Sequence, residues 1–279
     1  MTTTLRPTGP LQISAEGARS RTYDVCVNSR PVGVAEISTV PDFGPSVGRI
    51  DSLRIDEPDR RRGRGTVAAL AAEEVLRGWR CDQVVVSVPA DAEPAVRMVT
   101  ALGYVERSRN MLKELPSEPP ALPAGLTARP MTQPEYESWR RTSREGFARS
   151  WTERGLSAEQ AAAKAEAADR QYLPDGLATP HTTVCHLLHD GGKVGFLWVG
   201  RHEIEPGERA HFVYDVEVDE RHRGRGYGRA LMTQAERIAL EGGDTRLGLH
   251  VFAGNTPALR LYESLGYRTT HLNCFKNLL

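Results

Sequence analysis

The stretch HVFAGNTPALRLYESLGY, His250 to Tyr267, reads as a short strand, a loop and a helix. The strand ends near Val251. Asn255 is of the type that caps a helix, Pro257 suits its first turn and Gly266 its end, while Ala258, Leu261 and Leu265 share one face. Upstream, RHRGRGYGRALM, Arg221 to Met232, follows a strand that ends at Val218, and Tyr227, Leu231, Ala235 and Ile238 then recur at helical spacing. The glycines therefore sit at a helix N-terminus, where unpaired N–H groups and the positive end of the helix dipole converge. Glycine lets a backbone approach an anion closely, which makes this a place for a phosphate or pyrophosphate. A Walker A loop is excluded because no GK[ST] follows, and a dinucleotide GxGxxG fits poorly after strands that look like hairpins.

The chain of 279 residues balances 36 Lys and Arg against 36 Asp and Glu, so no overall field draws it to nucleic acid or an anionic membrane. Cys26, Cys81, Cys185 and Cys274 have no metal-like spacing, the start MTTTLRPTGP has no signal core, and no apolar run approaches a membrane span. A cytoplasmic protein without a metal site is expected.

The composition breaks at LPSEPPALPAG, Leu115 to Gly125, whose four prolines read as an extended linker. The expected division is a first domain over 1–115, a linker over 116–125 and a second domain over 126–279. The two sides repeat. TTVCHLL and KVGFLWVG flank the turn HDGG, with AHFVYDVEV as a third strand; TYDVCV, PVGVAEI and VGRIDSLRI take matching places in the first half. Gly63 and Gly224 stand 161 residues apart, and Gly103 and Gly266 stand 163 apart, which points to a duplicated unit. Helical character from Met131 to Tyr172 has no counterpart in the first half, so the N-terminal copy reads as truncated.

Arg223, Gly226 and Gly228, followed by Asn255, Ala258, Tyr262, Glu263, Gly266 and Tyr267, resemble the acetyl-CoA motifs of the GCN5-related N-acetyltransferase (GNAT) superfamily. The tandem layout is similar to that of the mycothiol synthases. The resemblance implies an α/β (α+β) fold of two tandem domains, each a mixed, mostly antiparallel sheet flanked by helices. It implies a sheet splayed between the strands ending at Val218 and Val251, with the pantetheine arm in the gap. It also implies an acetyl-CoA-dependent N-acetyltransferase that acts on a small-molecule primary amine through a direct ternary complex, as monomer or homodimer. A protein acetyltransferase and a non-catalytic coenzyme A sensor are the alternatives. By the same resemblance, Val216 and Val218 hold the acetyl carbonyl and pantetheine. The N–H groups of Gly224, Arg225, Gly226, Tyr227, Gly228 and Arg229 hold the pyrophosphate beside Arg223. Asn255 and Ala258 lie along the pantetheine, and Tyr262 donates a proton to the sulfur.

Asp215 and Glu217 alternate with the valines and so share a face of their strand, where either carboxylate can take a proton from the incoming amine. His250 on the neighbouring strand is the other candidate; the expected order is Glu217, then His250, then Asp215. Trp139, Trp151 and Tyr172 fall in helices expected to flank the acceptor cleft. In the first half Ala92 stands for Asn255 and Val99 for Tyr262. With Gly63 set against Gly224, Val67 stands for Gly228, where its Cβ would obstruct a phosphate. That half is expected to be non-catalytic.

Overall fold

The computed structural model describes residues 3–44, 46–153, 156–205 and 207–278. The first half of the chain gives β1 (Thr3–Pro7), β2 (Gln12–Ile13), β3 (Arg19–Val27), β4 (Arg30–Thr39), β5 (Val47–Ile55), α1 (Arg64–Gly78), β6 (Gln83–Pro89), α2 (Glu93–Ala101) and β7 (Val105–Glu114). The second half gives β8 (Leu126–Pro130), α3 (Gln133–Thr152), α4 (Ala158–Tyr172), β9 (Thr183–His189), β10 (Gly192–Glu205), β11 (Glu208–Val218), α5 (Tyr227–Glu241), β12 (Arg246–Phe252), α6 (Thr256–Ser264) and β13 (Arg268–Asn277). The order repeats, except that α3 and α4 have no counterpart before β3. Among the described residues, no helix is long and apolar enough to cross a membrane.

Local chemistry accounts for the shared elements. Asn28 and Ser29 join β3 to β4, and Asp190 and Gly191 join β9 to β10, all four with positive φ. Two consecutive positive-φ residues twist a hairpin turn in the same sense as its strands. The added helix α4 opens on a capping box, in which Ser157 Oγ accepts from the Gln160 N–H at 3.2 Å and the Gln160 side chain accepts from the Ser157 N–H at 3.0 Å.

Each half carries the same irregularity. Trp198 pairs with Asp215 but Val199 with Val213, so Tyr214 is an extra residue in β11; Glu36 pairs with Ser52 but Ile37 with Ile50, so Asp51 is extra in β5. A bulge of this kind bends its strand and increases the local twist. Accordingly the parallel register of β11 with β12 runs from His211↔Leu247 to Val213↔Leu249, and that of β5 with β6 from Val47↔Gln83 to Arg49↔Val85. Beyond those pairs the strands part, which produces the expected splay.

Packing divides the chain differently from composition. One compact unit is Met1–Ser108 with His271–Leu279, and the other is Arg109–Thr270. The first has the strand order β1-β3-β4-β5-β6-β13, the second β7-β12-β11-β10-β9-β8. Each half therefore sends its last strand into the other unit. In the first unit β13 pairs with β6 from His271↔Pro89 to Asn277↔Gln83, and Cys274 and Leu278 join Leu76 and Val84 in the core. Lys276 of β13 reaches the buried Glu73 of α1 at 2.8 Å. In the second unit Met111 of β7 enters the core beside Leu231 and Leu249, and Lys113 donates to the buried Glu236 of α5 at 2.6 Å. The lysines and the glutamates are each 163 residues apart, so one buried ion pair is built twice. The proline-rich segment between β7 and β8 forms neither helix nor strand, turns at Ala124 and Gly125, and is held by Arg237, which donates to the Pro120 carbonyl at 3.2 Å.

The structure corrects the alignment of the two glycine turns. Gly63 (φ 71°) precedes α1 as Gly226 (φ 84°) precedes α5, and these are 163 residues apart, like Gly103 and Gly266. Gly63 is thus the counterpart of Gly226 rather than of Gly224. Gly65 then stands for Gly228, Val67 for Ala230, and Arg61 (φ 58°) adopts the left-handed conformation of Gly224 (φ 77°). The flanking arginines match too: Arg60 Nε donates to the Ile55 carbonyl at 2.8 Å and Arg223 Nε to the Val218 carbonyl at 3.3 Å. Val67 therefore does not obstruct the first turn.

Candidate active site

The second unit gathers its candidate groups where β11 and β12 part. On one side lies the N-terminus of α5. Gly224 and Gly226 take the positive φ that turns the chain into the helix, and a Cβ on Gly228 would stand 3.1 Å from Leu261 Cδ2. Arg229 N–H already donates to the Gly226 carbonyl at 3.1 Å, so the expected donor set narrows to Gly224, Arg225, Gly226, Tyr227 and Gly228. The Tyr227 ring is buried, and its hydroxyl meets His189 Nδ1 at 2.7 Å, which ties the turn to β9. Arg223 stands at the rim, 3.9 Å from Glu217, and Arg229 donates to Ser264 Oγ at 2.7 Å. An N-terminal helical turn with glycines and a rim arginine fits the pyrophosphate of coenzyme A.

Along the gap, Val216 pairs with Leu197 and Val218 with Gly195. Asn255 caps α6, its Oδ1 accepting from the Ala258 N–H at 3.3 Å. Tyr262 is buried on the same helix, with its ring 6.0 Å from that of Tyr267. Burial, reinforced by the charge of Asp215, pushes the Tyr262 phenol up to about 12. One field thus joins a group on β11 to a group on α6.

The three candidate bases occupy different surroundings. Asp215 lines a cleft of about 460 Å³. Burial, with the nearby Glu217, pushes its carboxyl up to about 6. The Glu217 side chain is 55% exposed. His250 is exposed on β12, its ring 5.2 Å from Phe252. Asp215 and Glu217 pair in regular register with Trp198 and Phe196, as strand alternation implied, but Asp215 is half-buried and Glu217 exposed.

The cleft wall is aromatic. Trp198 stacks on Tyr214 with ring centroids 4.8 Å apart, and Tyr172 lies 5.1 Å from Tyr214. Phe147 and Arg144 of α3 and Asp169 of α4 complete the mouth. Of the aromatic residues expected from the inserted helices, only Tyr172 lines this cleft. Trp139 packs with Tyr136, Phe196 and Trp198 in a core beneath it, and Trp151 is buried against Phe147. Trp198 and Tyr214 escaped sequence reasoning because a strand residue's face depends on the bulge, and hairpin residues carry no mark of one. All four cysteines are buried free thiols, and burial pushes Cys185 up to about 12. Among the described residues no cluster of His, Cys, Asp and Glu could hold a metal.

The profile of the Acetyltransferase (GNAT) family matches residues 4–104 and 137–267, one span in each half. The chain belongs to this family. A mycothiol acetyltransferase of Thermomonospora curvata is 29% identical over 266 residues, covering 91% of this chain and 81% of that protein. An uncharacterized N-acetyltransferase, YdgE of Bacillus subtilis, is 31% identical over 160 residues, covering 55% of this chain and 98% of its own. A GCN5-related N-acetyltransferase of Sphaerobacter thermophilus shares the fold, with a TM-score of 0.58, 20% identity and coverage of 92% of this chain and 80% of that one. The protein is a tandem GNAT enzyme, an acetyl-CoA-dependent acyltransferase, with the mixed and mostly antiparallel sheets that the resemblance implied.

Proposed function

We propose that the second unit transfers the acetyl group of acetyl-CoA to the primary amine of a small molecule in one ternary complex. Asp215 is the base and Tyr262 the acid in this reading. The observation that carries it is the half-buried Asp215 in the lining of an aromatic cleft, and the upward push of its charge on the Tyr262 phenol of α6 supports it. Acetyl-CoA supplies the thioester. The N–H groups from Gly224 to Gly228, with Arg223, hold its pyrophosphate, and the backbone of Val216 and Val218 aligns the pantetheine arm and the acetyl carbonyl.

Asp215 pairs with the entering ammonium and takes its proton, directly or through a water. The freed nitrogen lone pair then forms the C–N bond as the C–S bond breaks, the nitrogen sheds its second proton to solvent, and the sulfur takes one from Tyr262, which solvent restores. Tyr262 donates a hydrogen bond to the departing sulfur; because its own pKa lies above that of a thiol, it stays protonated across the working range. Every cysteine is buried, which favours direct transfer over an acyl-cysteine route. Mycothiol acetyltransferases match both halves of the chain, which supports a small-molecule acceptor.

The test is thiol release from acetyl-CoA across a panel of amines, with Asp215→Asn and Tyr262→Phe alongside. Turnover that falls in both variants, with acetyl-CoA binding retained in calorimetry, bears the reading out. Full activity in Asp215→Asn would remove Asp215 as base and return Glu217 and His250 to the front.

A further inference from the structure

The cleft constrains what the acceptor can be. Its charged lining consists of Arg144, Asp169 and Asp215. Asp169 is already engaged, by Arg140 at 2.9 Å and Arg144 at 3.1 Å, and Arg144 also lies 3.3 Å from Glu166. Among the described lining residues that leaves Asp215 as the carboxylate not held by an arginine, so this lining matches a single positive charge. A second ammonium near α3 would meet the Arg144 guanidinium instead of an acid.

The uncharged remainder is flat and aromatic. Tyr172, Trp198 and Tyr214 form a continuous ring surface that runs up to Asp215, because the bulge places Tyr214 and Asp215 on the same side of the sheet. Ala165 and Ala168, on the same face of α4 as Tyr172, add small side chains to the lining, and Phe147 of α3 adds a further ring. Aromatic surfaces of this kind bind a ring face by stacking and hold a nearby cation by its attraction to the ring quadrupole. A cleft of about 460 Å³ has room for a ring and a short arm.

We infer that the acceptor is a monocationic amine on a short arm from an uncharged ring, an aryl group or the apolar face of a sugar, which lies against Tyr172, Trp198 and Tyr214 with its ammonium on Asp215. This inference rests on the proposed reaction at the same site. It excludes polyamines and polycationic aminoglycosides as preferred substrates, and also a lysine stem on an extended peptide, which would leave the ring surface uncovered.

The experiment is steady-state thiol release by the full chain with phenethylamine, methyl 6-amino-6-deoxyglucoside, spermidine and a lysine-containing peptide. It is repeated in Trp198→Leu and Tyr172→Leu, with acetyl-CoA binding measured separately by calorimetry. We expect kcat/KM for one of the two ring amines to exceed that for spermidine and the peptide by about tenfold or more, with KM for that amine rising by roughly fivefold or more in at least one variant. The favoured member of the ring pair identifies the ring as aryl or sugar. Acetyl-CoA binding with spermidine or the peptide preferred, or a KM for ring amines that neither variant moves, overturns the inference and leaves the acetyl-transfer reading standing. Absence of acetyl-CoA binding overturns both.

Discussion

Where the second half carries Trp198, Tyr214, Asp215 and Tyr262, the first carries Glu36, Asp51, Ser52 and Val99. The backbones around these positions agree closely: the same bulge, the same early end to the parallel register, the same left-handed turn into the helix. The first unit even keeps a cavity beside its bulge, of about 370 Å³, but Arg21, Glu36, Arg49 and Asp51 line it instead of aromatic rings. Its acids are engaged locally. Asp51 lies 2.5 Å from Arg49 and accepts from Ser38, and Glu36 accepts from Ser52. Architecture and side-chain chemistry have therefore separated: whatever packs a sheet against a helix is present in both halves, and the groups proposed to touch a reacting atom are present in one.

The comparison can be broken most severely by separating the halves. A chain ending at Thr270 loses the strand that completes the first unit and leaves Glu73 buried without Lys276. It should lose cooperative unfolding in circular dichroism, and a 1–115 fragment should be unfolded for the same reason. A cooperative transition in either piece would show that the exchanged strands are dispensable.

The repeated ion pair offers a gentler break. Lys276→Met and Lys113→Met each strand a buried glutamate, a change that typically costs about 3–5 kcal/mol. Denaturant titration should give similar losses for the two, and a large loss in only one would end the equivalence of the units.

The catalytic asymmetry is sharpened by Tyr262→Phe, which should lower kcat by about a hundredfold, in the range seen for removal of a catalytic proton donor. The matched first-half change, Val99→Ala, should leave kcat within about twofold and cost about 1–3 kcal/mol of stability, because it deletes two buried methyl groups.

The smallest effect is the pH dependence. The native Asp215 carboxyl titrates near 6, against about 3.9 for an unfolded aspartate, so the native state binds its proton more tightly. Between about pH 4 and 6 this group makes stability fall as pH rises, and the penalty is fully present above that window. Asp215→Asn should raise the stability at pH 7 by roughly 1–2 kcal/mol while it abolishes the rise in kcat/KM through about pH 6. An unchanged melting temperature together with an unchanged pH profile would remove Asp215 from the base role.

Much of the fold could be read from the residues. Asn255, Pro257 and Gly266 delimit α6, the alternation in AHFVYDVEV marks β11, and the prolines between Leu115 and Gly125 mark the segment without helix or strand. Candidate groups on regular elements were also legible, since Tyr262 lies on a helix face and Asp215 on a strand face. The glycine pairing was misjudged because RGRG repeats its own spacing every two residues, so two alignments fit the letters and the φ angles select one. The difference in exposure between Asp215 and Glu217 was not legible, because alternation gives a side chain's face but not its burial.

The sequence by itself determined the duplicated order of elements, the glycine turn before α5 and the absence of the matching Tyr and Asn from the first copy, because these depend on local propensity and residue identity. Only the tertiary structure decided the exchange of β7 and β13, the aromatic wall of the cleft and the raised proton affinity of Asp215. Strand exchange depends on contacts more than a hundred residues apart in the chain, such as Lys276 with Glu73. Proton affinity depends on how much water the surrounding side chains leave around the carboxylate.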